Sequence, residues 1–161
     1  MVHAFVGKIL RVDLSRGKTS VEPLNMNWAR MFVGGKGLGA KYLYEELKPQ
    51  TDAFSPENVL ILMTGPLAGT TAPCTAKHVT ITKSPHTGTF LDSYAGGYFG
   101  TELKFAGFDA VEIQGKAKSE VVILIDGDEG KVQIEDASQL SSETHLLVDI
   151  LAKKYGGENP Q

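Results

Sequence analysis

Glycines are concentrated in three short segments, and such segments can bring backbone N–H groups close to a ligand. The segments are residues 34–39 (GGKGLG), 65–69 (GPLAG) and 96–100 (GGYFG). Glycine accounts for 18 of the 161 residues, a larger fraction than its average usage of about 7%. Glycine has no Cβ, so its backbone adopts positive φ angles easily and can lie directly against a bound group. The pattern favours a polar ligand held by backbone atoms.

The first glycine segment has the composition of an anion-binding helix start. Gly35, Lys36 and Gly37 precede a predicted helix, and the free N–H groups at a helix start favour a phosphate. A tight turn between two helices is the alternative, because it also needs small residues. The segment does not fit G-x-x-x-x-G-K-[ST], and it does not follow a strand of a βαβ unit. The P-loop and dinucleotide-binding patterns are therefore excluded.

The residue types that usually carry catalysis or bind metals are sparse. Cys74 is the single cysteine, so an internal disulfide is impossible and no zinc-binding spacing exists. An iron–sulfur cluster needs about four cysteines, so this chain cannot hold one by itself. The four histidines have no carboxylate at a spacing that indicates a catalytic pair. We therefore predict no catalytic residue and no metal ligand within these residues.

The overall composition excludes several classes of function. The net charge of −3 gives no reason to expect a nucleic acid or an anionic membrane surface as partner. No apolar run approaches the roughly 20 residues that a membrane span requires. The first ten residues, MVHAFVGKIL, lack the pattern of a secretory signal. Together with the single cysteine, these features predict a cytoplasmic protein.

The first third of the chain predicts a hairpin followed by two helices. Residues 7–23 alternate with a strand period around a glycine turn. A short helix follows, capped by Asn25 or Asn27 and ended by the Gly34-Gly35 pair. The apolar spacing of residues 38–48 then predicts an amphipathic helix.

The remaining sequence predicts six strands and two helices. The strands are expected at 58–65, 77–84, 90–93, 109–115, 120–126 and 131–136, with helices at 98–106 and 141–157. The last helix has Ser141 or Ser142 as its predicted N-cap and Gly156-Gly157 as its end. Its predicted inward face consists of Leu146, Leu147, Ile150 and Leu151. Because there is no βαβ rhythm and no linker, we predict an α+β class and one domain over residues 1–161.

Several stretches, taken together and in order, resemble one family. They are GKILRVDLSRG, GGKGLGAKYLYEEL, SPENVLILMTGPLAGTTAP, VTITKSPHTGTFLDSYAGGYFGTELKFAGFDAVEIQGKA and KVQIEDASQL. They are similar to the N-terminal domain of the aldehyde ferredoxin oxidoreductase family, and the similarity covers nearly the whole chain. The resemblance implies an α+β domain built from two similar halves of β-strands around a helix. It also implies that this chain is incomplete at its C-terminal end.

The resemblance gives the glycine segments a role. In the family this domain is the base for tungsten or molybdenum bound by two pyranopterin-dithiolene ligands. The implied cofactor-binding residues are Gly35, Lys36, Gly37, Lys77, Tyr94, Ala95, Gly96 and Gly97. Gly96 and Gly97 would let the chain pass beneath a pterin and present N–H groups to it.

Two residues depart from the family pattern. Lys77 stands where the family usually has an arginine, whose planar five-donor fork a lysine cannot reproduce. Tyr94 stands where some members have an asparagine that helps to hold a magnesium ion, and tyrosine is a poor Mg²⁺ ligand. A magnesium site is therefore doubtful. An aromatic acyl thioester is accordingly an alternative to an aldehyde as substrate.

The function implied by the resemblance is that of one part of an oxidoreductase. The enzyme would oxidise the aldehyde or oxo group of its donors and pass electrons to ferredoxin through a [4Fe-4S] cluster held elsewhere. This chain alone would be inactive. Its expected partners are the remaining domains of a parent enzyme or a partner subunit, ferredoxin, and further copies in a homo-oligomer.

Two other functional classes remain open on the sequence. One is a non-catalytic split or truncated homologue that serves as an interaction subunit, which Lys77, Tyr94 and the early stop favour. The other is a small phosphate- or nucleotide-binding protein, against which the missing βαβ fingerprint argues.

Overall fold

The computed structural model describes residues 4–156, which form eight strands and four helices. In chain order they are β1 (Lys8–Asp13), β2 (Lys18–Pro23), α1 (Met26–Phe32), α2 (Gly35–Glu46), β3 (Val59–Thr64), β4 (His78–Lys83), β5 (Phe90–Ala95), α3 (Phe99–Phe105), β6 (Ala110–Gln114), β7 (Val121–Asp126), β8 (Lys131–Asp136) and α4 (Thr144–Tyr155). The predicted α+β class is confirmed. None of the helices in this part of the chain is long and apolar enough to cross a membrane.

Six strands form one sheet in the order β2-β1-β6-β3-β4-β5, and β7 pairs with β8 in a separate two-stranded sheet. All neighbours in the large sheet are antiparallel except β1 and β6, which run parallel. The apolar run of β3 lies near the middle of the sheet. Its alternate residues Val59, Ile61 and Met63 are each only 1% exposed, which confirms the predicted buried strand.

Each face of the large sheet is covered by a different set of elements. One face packs against α1 and α2 through a cluster that includes Leu38, Tyr42 and Ile81. The opposite face packs against α3 and the β7–β8 hairpin, where Leu103 and Ile123 join the cluster. Of these two helices, α2 packs on β3 and β4, and the first glycine segment, at the start of α2, lies beside one end of these strands.

The junction between α1 and α2 is tighter than predicted. Asn25 caps α1 as expected, because its side chain accepts from the N–H groups of Asn27 and Trp28, both at 3.1 Å. The helix ends at Phe32, however, and Val33 follows with a φ of 68°. Gly35 does not end α1, as predicted, but is the first residue of α2. The positive φ of the cap residue reverses the chain without a longer linker.

The last helix, α4, differs most from its prediction. Its N-cap is Glu143, whose carboxylate accepts from the N–H groups of His145 and Leu146, and not Ser141 or Ser142. None of its residues is buried within the described chain, so the predicted inward face is wrong for Leu146 and Ile150, which are exposed. A helical period creates an apolar stripe, but it does not create an element to cover that stripe. The predicted stop at Gly157 lies outside the described residues.

A buried ion pair attaches the N-terminal segment to the sheet. Lys104 on α3 and Asp109 before β6 are 8% and 1% exposed, and their charged atoms lie 2.5 Å apart. The Asp109 carboxylate also accepts from the N–H groups of Val6 at 3.1 Å and Gly7 at 2.6 Å. Lys104 in turn donates to the carbonyl oxygen of Ala4 at 3.0 Å. All the polar atoms of the pair therefore face partners, as a buried pair requires.

Candidate functional site

Three neighbouring strands, β3, β4 and β5, each have one end at the same edge of the large sheet. Thr64 at the end of β3 pairs with His78 at the start of β4, and His78 pairs with Ala95 at the end of β5. The loops that leave these strands carry the second and third glycine segments, and α2 begins beside the same edge. Antiparallel pairing thus brings together segments that are far apart in the sequence.

A cavity of about 310 Å³ lies at this edge. Its lining residues are Gly34, Gly35, Lys36, Gly37, Met63, Gly65, Pro66, Lys77, His78, Val79 and Tyr94. It contains five of the eight residues predicted from the family resemblance. The other three, Ala95, Gly96 and Gly97, directly follow Tyr94 and do not line it.

The start of α2 forms one wall of the cavity. Gly34 occupies the N-cap position with a φ of 135°, and no side chain caps the helix. A Cβ at Gly34 would lie 2.8 Å from Cδ of Pro66, and one at Gly37 would lie 2.6 Å from the carbonyl oxygen of Phe32. A Cβ at Gly35 would meet nothing within 4 Å. Packing therefore requires the glycines at 34 and 37, whereas the space above Gly35 is open.

Lys36 is already paired in this structure. Its ammonium lies 2.9 Å from the carboxylate of Asp92 on β5 and 5.8 Å from the centre of the Phe90 ring. The hydrogen bond with Asp92 raises the pKa of Lys36, so the side chain is positively charged near neutral pH. Asp92 was missed at the sequence level, although its two-residue spacing from Phe90 and Tyr94 places all three on one face of the strand.

Lys77 contributes a second positive charge to the cavity. Among the described residues its side chain makes no hydrogen bond or ion pair within normal distance. Its ammonium is thus available to a bound group, in contrast to that of Lys36.

The third glycine segment leaves open space above the backbone. A Cβ at Gly96 or Gly97 would meet no atom within 4 Å, and both residues are exposed. Gly97 has a φ of 84°, which favours glycine whatever the surroundings. Gly100 differs, because a Cβ there would lie 2.7 Å from the carbonyl oxygen of Ala76. The strand β5 is also longer than predicted and includes Tyr94 and Ala95, so the connecting loop is residues 96–98.

His78 also lines the cavity, although no local sequence pattern predicts a role for it. Its imidazole packs against the ring of Phe99, with centroids 4.7 Å apart and an interplanar angle of 60°. Its Nδ1 is buried and has no hydrogen-bond partner within the described chain. Burial lowers the pKa of His78 below its ordinary value of 6.5, so the ring is neutral at pH 7.

The burial of His78 predicts a pH dependence of stability. The unfolded chain binds a proton at His78 more readily than the folded chain does, so the free energy of unfolding should fall as the pH drops through about 6.5. The fall should stop below the lower pKa of the folded state. Urea unfolding at several pH values between 7.5 and 5 measures this effect, with His78→Phe as the control that cannot take up the proton. Parallel pH profiles for the two proteins would contradict the prediction.

A larger cavity of about 650 Å³ lies along the second half of α2 and ends at Phe90. It is lined mainly by apolar residues and contains none of the residues predicted from the sequence. Phe90 lines this cavity and Tyr94 lines the smaller one, and Asp92 lies between these two residues on β5.

Comparison with known proteins identifies the family of the chain. A family model described as "Aldehyde ferredoxin oxidoreductase, N-terminal domain" matches residues 9–161. The chain belongs to this family. The resemblance inferred from the sequence motifs is therefore confirmed.

Relatives of this N-terminal domain include named tungsten enzymes. The tungsten-containing aldehyde ferredoxin oxidoreductase of Pyrococcus horikoshii is 47% identical over 151 residues, which cover 91% of this chain and 24% of the relative. The enzyme of the same name from Pyrococcus abyssi is 48% identical over 139 residues, covering 86% of this chain and 23% of the relative. The chain thus spans about a quarter of the length of the curated relatives it matches.

A solved structure shares the fold of this aldehyde ferredoxin oxidoreductase N-terminal domain. The active site complex BamBC of benzoyl coenzyme A reductase, in complex with 1,5-dienoyl-CoA, matches with a TM-score of 0.90 and 35% identity. The match covers 94% of this chain and 23% of the other. An aliphatic sulfonate oxidoreductase, WOR-like subunit, from Pyrococcus furiosus is 38% identical over 141 residues.

Proposed function

We propose that this chain is the cofactor base of a tungsten or molybdenum oxidoreductase that acts on the aldehyde or oxo group of its donors. The observation that carries the proposal is the meeting of the glycine-rich helix start, Lys77 and Tyr94 around one cavity at the sheet edge. The 96–98 loop leaves the same edge directly after Tyr94. Similarity to named tungsten enzymes supports the choice of metal.

The residues present fit a phosphate-bearing, flat cofactor. Open space lies above the backbone at Gly35, Gly96 and Gly97, where any Cβ would fill it. The N–H groups of the first turn of a helix lack acceptors within the helix, so those at the start of α2 suit a phosphate. Lys77 adds a positive charge that no other described residue neutralises. The residues that would hold the cofactor are Gly35, Lys36, Gly37, Lys77, Tyr94, Ala95, Gly96 and Gly97.

The chain's own part in the chemistry is binding and orientation. When bound, the metal-pterin group supplies the redox chemistry. Among the described residues no group of three or more His, Cys, Asp or Glu side chains is placed to hold a metal ion. A phosphate at the start of α2 would compete with Asp92 for Lys36. Tyr94 offers a phenol where magnesium prefers carboxylate, carbonyl or water oxygens, so a magnesium bridge at this position is not part of the proposal.

An aldehyde is favoured over an acyl thioester as the substrate. The relatives named as aldehyde enzymes reach 47–48% identity, whereas the benzoyl coenzyme A reductase structure matches at 35%. The thioester remains the second candidate because the fold superposes closely on that structure. We also propose a [4Fe-4S] cluster held by other segments or a partner, with ferredoxin as electron acceptor, in a cytoplasmic homo-oligomer.

Metal analysis of the protein from its native source tests the proposal. We expect tungsten or molybdenum together with iron in the purified assembly that contains this chain. Recombinant material is a poor substitute, because its host must also make the pterin. An assembly that contains neither tungsten nor molybdenum would contradict the proposal and favour the interaction-subunit alternative.

The purified 161-residue chain should not oxidise aldehydes. It has one cysteine, whereas a [4Fe-4S] cluster needs about four, so electrons have no route to an acceptor. A dye-reduction assay with an aldehyde measures this, with a full-length relative as the positive control. Dye reduction by the chain at the rate of that relative would contradict the proposal that electron transfer needs a cluster held outside this chain.

A further inference from the structure

The loop of residues 96–98, called here the glycine loop, is fixed at both ends by one residue. Ala95, just before the loop, pairs with His78 in the ladder between β4 and β5. Phe99, just after the loop, packs its ring against the imidazole of His78 with centroids 4.7 Å apart. The residue before the loop therefore pairs with the His78 backbone, and the residue after the loop contacts the His78 side chain.

A second close contact holds the end of the loop. The first turn of α3 lies on the backbone before β4, where a Cβ at Gly100 would come within 2.7 Å of the Ala76 carbonyl oxygen and 3.4 Å of the His78 nitrogen. The loop itself has no such support. Gly96 and Gly97 have open space where a Cβ would be, and Tyr98 is 76% exposed.

The contact made by the His78 ring is one of packing. Nδ1 is buried without a hydrogen-bond partner among the described residues, and a buried polar atom in that state does not add stability. The contribution of the ring therefore comes from its area against Phe99, in an arrangement that aromatic pairs favour.

We propose that His78 is the positioning residue of the glycine loop. Its ring packs against Phe99 at the start of α3, and its backbone pairs with Ala95 at the end of β5, so both ends of the loop are held against one residue. The inference rests on the proposed function in one respect only, namely that the loop serves to lie beneath the pterin. The positioning itself is a property of this chain.

Amide hydrogen exchange of the 161-residue chain, measured by NMR, tests the positioning. The reporter is the Glu102 amide, which donates to the Tyr98 carbonyl at 2.9 Å. His78→Ala should reduce the protection of this amide about tenfold, because the free energy of an aromatic pair corresponds to a change of about tenfold in an equilibrium constant. His78→Phe should retain the protection, because it keeps the ring and removes the unpaired nitrogen. Phe99→Leu should give the same loss as His78→Ala.

The Leu14 amide is the control for global unfolding, since it donates to the Gln114 carbonyl at 2.8 Å on a distant part of the sheet. Its protection should stay within about twofold in all three variants, as expected for local opening. Unchanged Glu102 protection in His78→Ala would overturn the inference. An equal fall at Glu102 and Leu14, or failure of His78→Phe to retain protection, would also overturn it.

Metal content of the longer enzyme separates this inference from the proposed function. His78→Ala should lower its tungsten or molybdenum content, and His78→Phe should keep it. A variant that loosens the loop in the isolated chain but keeps the full metal content would leave His78 as the positioning residue and contradict the pterin role of the loop. If the loop does not loosen, the positioning inference fails whatever the metal content.

Discussion

Replacing Asp109 by alanine should lower the free energy of unfolding by about 3–5 kcal/mol, the usual cost of removing one partner of a buried ion pair. The change leaves the Lys104 ammonium buried without its carboxylate. It also removes the acceptor of the Val6 and Gly7 N–H groups, so the N-terminal segment loses two of its hydrogen bonds. Urea unfolding followed by circular dichroism measures the loss.

Two further variants show whether the Asp109 effect comes from the buried pair. Asp128→Ala, in the exposed turn between β7 and β8, should change stability by no more than about 0.5 kcal/mol. Adding Lys104→Met to Asp109→Ala should cost less than the sum of the two single changes, because the unpaired charge is removed with its partner. A loss for Asp109→Ala no larger than that for Asp128→Ala would contradict a structural role for the pair.

In the proposed parent enzyme, Gly96→Val should largely abolish tungsten or molybdenum binding while leaving the stability of the apo form within about 0.5 kcal/mol. Gly96 has no positive φ, and a side chain there would meet no atom of this chain. The added bulk would occupy only the space assigned to the pterin. Elemental analysis and pterin release measure the binding, and thermal unfolding of the apo enzyme measures the stability.

Gly97→Ala has a matched control in Gly130→Ala. Both glycines have positive φ, 84° and 63°, and open space around them, so each substitution should cost on the order of 1 kcal/mol of backbone strain. Only Gly97→Ala should lower the metal content. Full metal content in both Gly96→Val and Gly97→Ala would show that these glycines only form a turn.

The strands could be predicted from the sequence more fully than the site. The buried strand at 58–65 and the hairpin at 7–23 follow from local sequence patterns, and tertiary packing does not change them. The family resemblance predicts five cofactor-binding residues that the structure brings to one cavity. They are Gly35, Lys36, Gly37, Lys77 and Tyr94. Whether they bind the cofactor stays a prediction.

The parts that could not be predicted depend on contacts between distant segments. Asp92 reaches Lys36 across the gap between α2 and β5, which no local pattern encodes. Pairing between β4 and β5 extends the latter to Ala95, so the predicted end at residue 93 was too early. The helical period of α4 predicts a buried face, but burial depends on a neighbouring element and not on the period itself.

The parallel pairing of β1 with β6 has a consequence for how the chain folds. Asp109 binds the N–H of Gly7 across 102 residues, and β6 inserts between β1 and β3. During synthesis the β1–β2 hairpin can form early, but the inner edge of β1 has no partner until β6 has left the ribosome. Contacts of such high sequence separation slow folding, and an unpaired strand edge promotes aggregation in the meantime. We therefore expect sheet assembly to end with the pairing of β6 at the centre of the sheet, and not with the addition of an outer strand.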